Sequence, residues 1–515
     1  MQPQQVMKMI DYLGKLGYNA LELYCEDTLE VAGEPYLGYL RGRYTSAEIK
    51  AIDSYARERG IELIPCVQAL AHYTNAVKNE RFVEITDVND ILLVDDERTY
   101  EFLDRVFASL AENFTSRHVN IGMDEAHMVG LGKYLDIHGF SNRFEILARH
   151  LQRVAAICDK YGFKPHMWSD MFFRLTLNGE YYGKGVHIPK EVRSSVPENV
   201  GLAYWDYYHT DAETYDEMFA SHEEFGREVW FAGGAWCWNG FAPMHSFSLR
   251  TMKTAMANVE KHNVEHVLIT MWGDNGKECS FFALLPTLYA IRRYGDGVTD
   301  DAQIRREFNE QFALNFDDFM LLELPNVRKG NTQTDRIECT CKTLLYSDCF
   351  LGLFDKEVER TGEIPYGEYA KKIAEAAPRA GEFAYIFDVA EKLCSVLEIK
   401  YDLGVRTRKA YRAGNRDDIK KIIADYRETI NRVKIFHEAF SALWMRENKP
   451  YGFEVHDIRL GGLMQRLSSC AERLELYASG KIEKIEELEE DILPYKKDED
   501  FQCNIYRLLA TPSDL

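Results

Sequence analysis

From residue 1 to about residue 298, apolar positions alternate between two spacings. Short, nearly continuous apolar runs give way to stretches in which apolar side chains recur every three or four residues. The first kind reads as buried strands and the second as amphipathic helices. The predicted strands are Asn19–Tyr24, Ile61–Val67, His118–Gly122, Lys164–Trp168, Gly201–Trp205, Glu228–Ala232 and His266–Trp272. Phe144, Leu147, Leu151, Val154 and Cys158 mark one helical face between them. Gly60 and Gly162 stand where a helix needs a left-handed stop before the next strand.

Strands and helices alternating through short links imply parallel strands covered by helices. No glycine-rich phosphate loop follows any of these strands, which argues against a dinucleotide fold. The expected architecture is therefore α/β, a (β/α)8-type barrel. Seven strands are read where a closed barrel needs eight, and the chain opens in a helix carrying Val6, Ile10 and Leu13 on one face. The first strand is the absent one. Either it lies upstream of Met1 or the barrel is open at one seam. Because an open seam exposes unpaired strand edges, a truncated start is the expectation.

From about Thr299 the spacing changes. Residues 300–515 offer no convincing strand but several helical patterns, among them Ile419, Ile422, Ile423, Tyr426, Ile430 and Val433. The division expected is a catalytic barrel over residues 1–298 and a helical domain over 299–515. Such a size suits more than one core.

Acidic residues number 83 against 62 basic ones, for a net charge of −21. That balance repels phosphate backbones and anionic membrane surfaces, so a neutral substrate is expected, with no nucleic acid and no membrane partner. No apolar run is long enough to span a bilayer, and the first residues lack the pattern of a signal peptide. The 11 cysteines are scattered through apolar segments, which points to reduced thiols and a cytoplasmic location. Cys339, Cys341 and Cys349 do not have zinc-site spacing, and no cofactor or metal is expected. The helical half is large enough to carry a homodimer surface.

Catalytic groups of such barrels sit at the C-terminal strand ends. After the third predicted strand, NIGMDEAH places Asp124 beside Glu125, with His127 beyond. Alone, an Asp-Glu pair is more often an acidic helix start. The other strand ends change that balance. They supply Trp168 and Asp170; Tyr204, Trp205, Asp206, Tyr207 and Tyr208; Trp236, Trp238 and Asn239; and Trp272, Asp274 and Glu278. Tryptophans interleaved with acids and amides suit a sugar ring, whose C–H face stacks while its hydroxyls bond to carboxylates. The residues alone indicate a carbohydrate pocket containing a carboxylate pair.

The ordered motifs LELYCEDT, LIPCVQALAH, NIGMDE and MWGD make the chain resemble family 20 glycoside hydrolases, the β-N-acetylhexosaminidases. In layout it is similar to the subgroup with a helical C-terminal region. Where members show Pro-Gly before the motif histidine, this chain has Ala69-Leu70-Ala71. The resemblance implies a retaining exo-β-N-acetylhexosaminidase acting on a small oligosaccharide or glycoconjugate terminus. The attacking group is the substrate's own 2-acetamido oxygen, and an oxazolinium ion is the intermediate. Carried over by position, Glu125 protonates the leaving oxygen and then activates water. Asp124 holds the acetamide N–H. His72 stands behind Glu125, with Asp27 behind His72.

Trp168, Trp236 and Trp272 would wall the acetamide. Asp274, where the family usually has Glu, would meet the outer hydroxyls, with Glu278 as its substitute. The family's tyrosine donor is absent after Trp236, and Tyr207 is the replacement candidate. Tyr204, Trp205, Trp238 and Asn239 complete the expected lining. Two other functions compete. One is a catalytically weak carbohydrate-binding protein on a truncated barrel. The other is a metal-dependent hydrolase built on His72, His127 and Asp170, which lacks paired histidines at one strand end.

Overall fold

The computed structural model describes residues 1–328, 337–495, 501 and 503–513. It contains seven parallel strands: β1 (Ala20–Tyr24), β2 (Glu62–Cys66), β3 (His118–Asn120), β4 (Lys164–Trp168), β5 (Gly201–Trp205), β6 (Val229–Gly234) and β7 (His266–Thr270). They form one sheet in the order of the chain, each strand pairing with the next. Helices such as Ser46–Arg57, Glu97–Asn113 and Arg143–Lys160 occupy the connections, so the α/β barrel architecture holds. Among the described residues no pairing joins β7 to β1, and the barrel is open there. Both edge strands are half-buried throughout, whereas every residue of β5 is buried.

The sheet curls around its own side chains. His166 from β4 stacks on Trp230 from β6 at 3.9 Å, and Trp230 stacks on His266 from β7 at 4.2 Å. His118 from β3 comes within 6.4 Å of the His266 ring. Rings from non-adjacent strands meet only if the sheet bends over them.

The expected strands are all present; Lys164–Trp168 and Gly201–Trp205 have the expected ends, and the other five are shifted by one or two residues. β3 stops at Asn120 because the Asn120 side chain takes the Gly122 N–H at 2.9 Å and the chain turns left-handed at Gly122 and Met123. β7 stops at Thr270, short of Trp272. Gly60 and Gly162 do terminate helices at positive φ, +69° and +71°.

The chain divides into two compact units. The first comprises Met1–Gly234, Thr251–Thr270 and Ile291–Gly297, and holds the whole sheet. The second comprises Val298–Leu515 together with Ala235–Arg250 and Met271–Ala290, the segments that follow β6 and β7. Beyond residue 299 the described residues are helical, dominated by Ala384–Lys400, Arg416–Glu447 and Phe453–Ala478. Ile419, Ile422, Ile423, Tyr426 and Val433 form the buried stripe of Arg416–Glu447.

Candidate active site

Adjacent residues of an extended strand point to opposite faces. Asp124 and Glu125 escape that rule because the chain after β3 is no longer extended. Gly122, Met123 and Glu125 have φ of +68°, +68° and +51°, and these left-handed turns swing both carboxylates to one side. They converge on one imidazole. His72 Nε2 lies 3.1 Å from Asp124 Oδ2 and 3.9 Å from Glu125 Oε2. His72 itself follows β2 at φ +62°. Three of these four left-handed residues, His72, Met123 and Glu125, are not glycine, and their strain is held in place by surrounding packing.

Two further groups complete the arrangement: Gln68, which the sequence pattern does not mark, and Asp170, which the sequence places at a strand end. Gln68 Nε2 donates to Asp124 Oδ1 at 3.0 Å, while Gln68 Oε1 accepts the Met123 N–H at 3.3 Å. Gln68 sits within LIPCVQALAH, four residues before His72. Asp170, fully buried after β4, accepts the Glu125 N–H at 3.2 Å and pairs with Arg174 Nε at 3.1 Å. The sequence places Asp170 at this strand end; its partner Arg174, four residues on, is seen only in the fold.

The electrostatics follow from these contacts. Burial pulls the His72 imidazole down, but the hydrogen bond and charge of Asp124, with Glu125 and Asp90 adding, win and push it up to about 9. His72 is therefore an imidazolium at neutral pH, bridging two carboxylates. Burial and the Asp124 charge push the Asp170 carboxyl up to about 7, against the Glu125 N–H and Arg174. The ligating atoms of His72, Asp124 and Glu125 lie within 4.8 Å of one another, as a metal site requires. A metal binding there would have to displace the imidazole proton.

Asp27 takes a different partner from the one expected. It is buried and bonded to Arg41 Nε at 3.0 Å, so it backs a loop arginine instead of His72. Its neighbour Glu26 is the carboxylate that feels the His72 charge; burial and the Asp27 charge push it up to about 7. His127 is drawn down by burial and by Arg174.

The aromatic candidates in the first unit fall into two groups. Trp168 is buried at the end of β4. Trp205 and Tyr207 stack at 5.5 Å with 23° between their planes. Tyr204 is fully buried among Phe219, Phe231 and His222, and its hydroxyl donates to Asp206 Oδ2 at 2.7 Å. That packing removes Tyr204 from the expected lining and follows from strand alternation, since Trp205 points the other way.

The remaining candidates belong to the second unit. Trp236 and Trp238 stack at 4.0 Å, and Asn239 Nδ2 lies 3.1 Å from Met244 sulfur. Cys237 Sγ contacts the Trp272 carbonyl at 3.3 Å. Asp274 is exposed. Glu278 is not available to a ligand: its carboxylate is buried against Lys342 Nζ at 2.8 Å and Arg459 Nη1 at 3.2 Å. It cannot substitute for Asp274.

Two family models match the chain and together cover most of it. The glycosyl hydrolase family 20 catalytic domain matches residues 1–214, and the glycoside hydrolase 20C C-terminal domain matches residues 317–506. The chain belongs to glycoside hydrolase family 20. A β-hexosaminidase from Vibrio furnissii is 34% identical over 96 residues, 16% of this chain and 16% of the relative. A chitobiase structure from Flavobacterium johnsoniae is 16% identical with a TM-score of 0.47, covering 99% of this chain and 75% of its own. The exo-β-N-acetylglucosaminidase from Vibrio harveyi, solved with N-acetylglucosamine, is 14% identical with a TM-score of 0.45. That alignment covers 63% of this family 20 chain and 56% of the Vibrio harveyi chain. The chain thus spans little more than half of that relative, and a sixth of the first.

Proposed function

We propose that this family 20 chain is a retaining exo-β-N-acetylhexosaminidase that removes terminal β-linked GlcNAc or GalNAc by substrate-assisted catalysis. The observation that carries the proposal is the convergence of Asp124 and Glu125 on the His72 imidazolium. Two neighbouring carboxylates with unequal surroundings can divide two tasks. Asp124 is the more enclosed, with 19% of its side chain exposed against 45% for Glu125. Gln68 and His72 fix both its oxygens. A carboxylate so held is suited to a stationary role, bonding the acetamide N–H and balancing the charge that grows as the acetamide oxygen attacks.

Glu125 is the more open of the two, and an acid-base group must reach the leaving oxygen and then water. Its backbone, by contrast, is tied to Asp170. In the first step the Glu125 proton passes to the leaving oxygen, whose bond to the anomeric carbon breaks as the acetamide oxygen bonds to that carbon. In the second, Glu125 takes a proton from water, whose oxygen bonds to the anomeric carbon as the acetamide oxygen leaves it, giving net retention. Trp168, Trp205 and Tyr207 are the proposed first-unit contacts to the sugar, with Trp236, Trp238, Asn239, Trp272 and Asp274 proposed from their chain positions after β6 and β7.

No described helix is long and apolar enough to cross a membrane. None of the eleven cysteines forms a disulfide among the described residues and ten are buried, which supports a reducing, cytoplasmic location. The deciding experiment is turnover of a chromogenic β-N-acetylglucosaminide. The parent is expected to release N-acetylglucosamine with retained β-configuration, and Glu125→Gln to lose about 10²–10⁴ in rate. A Glu125→Gln variant as fast as its parent, or a parent that binds the sugar without turnover, would overturn the proposal.

A further inference from the structure

The segment after β7, Met271–Ala290, belongs to the compact unit formed with the helical region. Within that unit its backbone is gripped from several helices at once. Lys342 Nζ donates to the Asn275 carbonyl at 2.9 Å and pairs with Glu278 at 2.8 Å, and neither side chain has any exposed surface. Arg459 Nη1 donates to the same carbonyl at 2.7 Å, and Nη2 donates to Asn275 Oδ1 at 3.1 Å. The Tyr506 N–H donates to that Oδ1 at 3.0 Å, and His456 Nε2 lies 2.8 Å from the Gly276 carbonyl.

Such a grip answers a strained backbone. Asn275, Gly276 and Lys277 have φ of +48°, +132° and +51° in succession. Two of the three are not glycine, and L residues leave this region unless held. At Gly276 a Cβ would stand 2.6 Å from Arg459 Nη1 and 2.9 Å from Glu278 Oε1, so the clamp closes directly on the backbone. The one strongly exposed side chain in this held stretch is the preceding residue, Asp274. Lys342 also packs against Gly240 in the segment after β6, and Asn504 Nδ2 donates to the Trp238 carbonyl at 3.2 Å.

We propose that the helical region is a positioning frame for substrate recognition, in which Arg459 and Lys342 clamp Asn275–Glu278 so that Asp274 meets the outer hydroxyls of the terminal N-acetylhexosamine. This rests on the hexosaminidase function proposed above. Arg459 touches no substrate; it acts through Asp274.

The test is a double-mutant cycle on Arg459→Ala and Asp274→Ala with a chromogenic β-N-acetylglucosaminide, alongside calorimetric binding of N-acetylglucosamine. Each single variant is expected to raise KM and weaken sugar binding about tenfold, with kcat within about threefold and the pH profile unmoved. The double variant is expected to be no worse than either single one, because both remove the same contact. Arg459→Lys, which keeps one donor to the Asn275 carbonyl, recovers part of the loss. Should Arg459→Ala fail to fold, Arg459→Gln takes its place in the cycle.

A folded Arg459 variant with native KM and sugar affinity would overturn the proposal, as would losses that multiply in the double variant. An Asp274→Ala variant with native affinity would also overturn it. Failure of the hexosaminidase function itself shows separately, as a parent protein without turnover.

Discussion

Gln68 donates to Asp124 Oδ1 at 3.0 Å and, through its other amide atom, accepts the Met123 N–H next door. One side chain thus fixes both the carboxylate and the backbone that carries it. A hydrogen bond to a charged group is worth about 1.5–3 kcal/mol. Gln68→Leu is therefore expected to lower kcat/KM about 10- to 100-fold. The loss should fall mainly in kcat if Asp124 works in the transition state, and steady-state kinetics would show the split.

His72 is charged because two carboxylates outweigh its burial. Raising pH through about 9 removes that proton, and with it the positive charge held 3.1 Å from Asp124. Activity is expected to fall on the alkaline side with an apparent pKa near that value. His72→Gln should be slower at neutral pH and lack this alkaline limb. A parent profile flat to pH 10 would show that the imidazolium has no part in the chemistry.

Stability should also depend on pH. The Asp170 carboxyl is pushed up to about 7 by burial and the Asp124 charge, from about 4 in an unfolded chain. The folded protein then binds the proton more tightly, so the stabilisation is complete below about pH 4 and is lost as pH rises through about 7. Glu26, pushed up to about 7, acts in the same direction. The His72 contribution, raised to about 9, disappears at higher pH still. The melting temperature is expected to fall from pH 5 to pH 8. Asp170→Asn should flatten that slope; an unchanged slope would assign it elsewhere.

Much of the fold was legible because buried parallel strands leave continuous apolar runs, and all seven stood out. The carboxylate pair was legible for the same reason, as the chain leaving a strand end. What joins it to His72 was not. The turns that bring Asp124 and Glu125 to one side depend on positive φ at Met123 and Glu125, and neither residue type advertises that conformation. Gln68 looks like an ordinary polar residue until Asp124, 56 positions away, is placed beside it. Asp27 and Glu278 carried the right charge for the expected roles, yet Arg41 and Lys342 hold them instead. Such choices between partners are made by tertiary packing, which one-dimensional patterns do not record.

Gly122 is where backbone and site constrain each other most tightly. Its φ is +68°, and a Cβ there would stand 2.1 Å from Gln68 Oε1. Gly122→Ala must therefore push Gln68 away from Asp124 as well as force alanine into a left-handed turn. The expected result is a folded protein with a lower melting temperature and at least the activity loss of Gln68→Leu. Combining the two substitutions should add little further loss of activity, since Gln68 is already displaced.

Lys342 and Glu278 have no exposed side-chain surface, and their ion pair is desolvated on both sides. Removing one partner of such a pair leaves an uncompensated buried charge, at about 3–5 kcal/mol. Arg459 softens the loss at Glu278 because it remains 3.2 Å away. Lys342→Met is therefore expected near the lower end of that range, read as a fall of several degrees in melting temperature. Glu278→Gln should be worse for its size, since it leaves two cations, Lys342 and Arg459, facing a neutral amide. If the two variants melt together with the parent, the pair is not what holds Asn275–Glu278 in its strained path. The Arg459, Tyr506 and His456 bonds to Asn275 and Gly276 would then have to hold it.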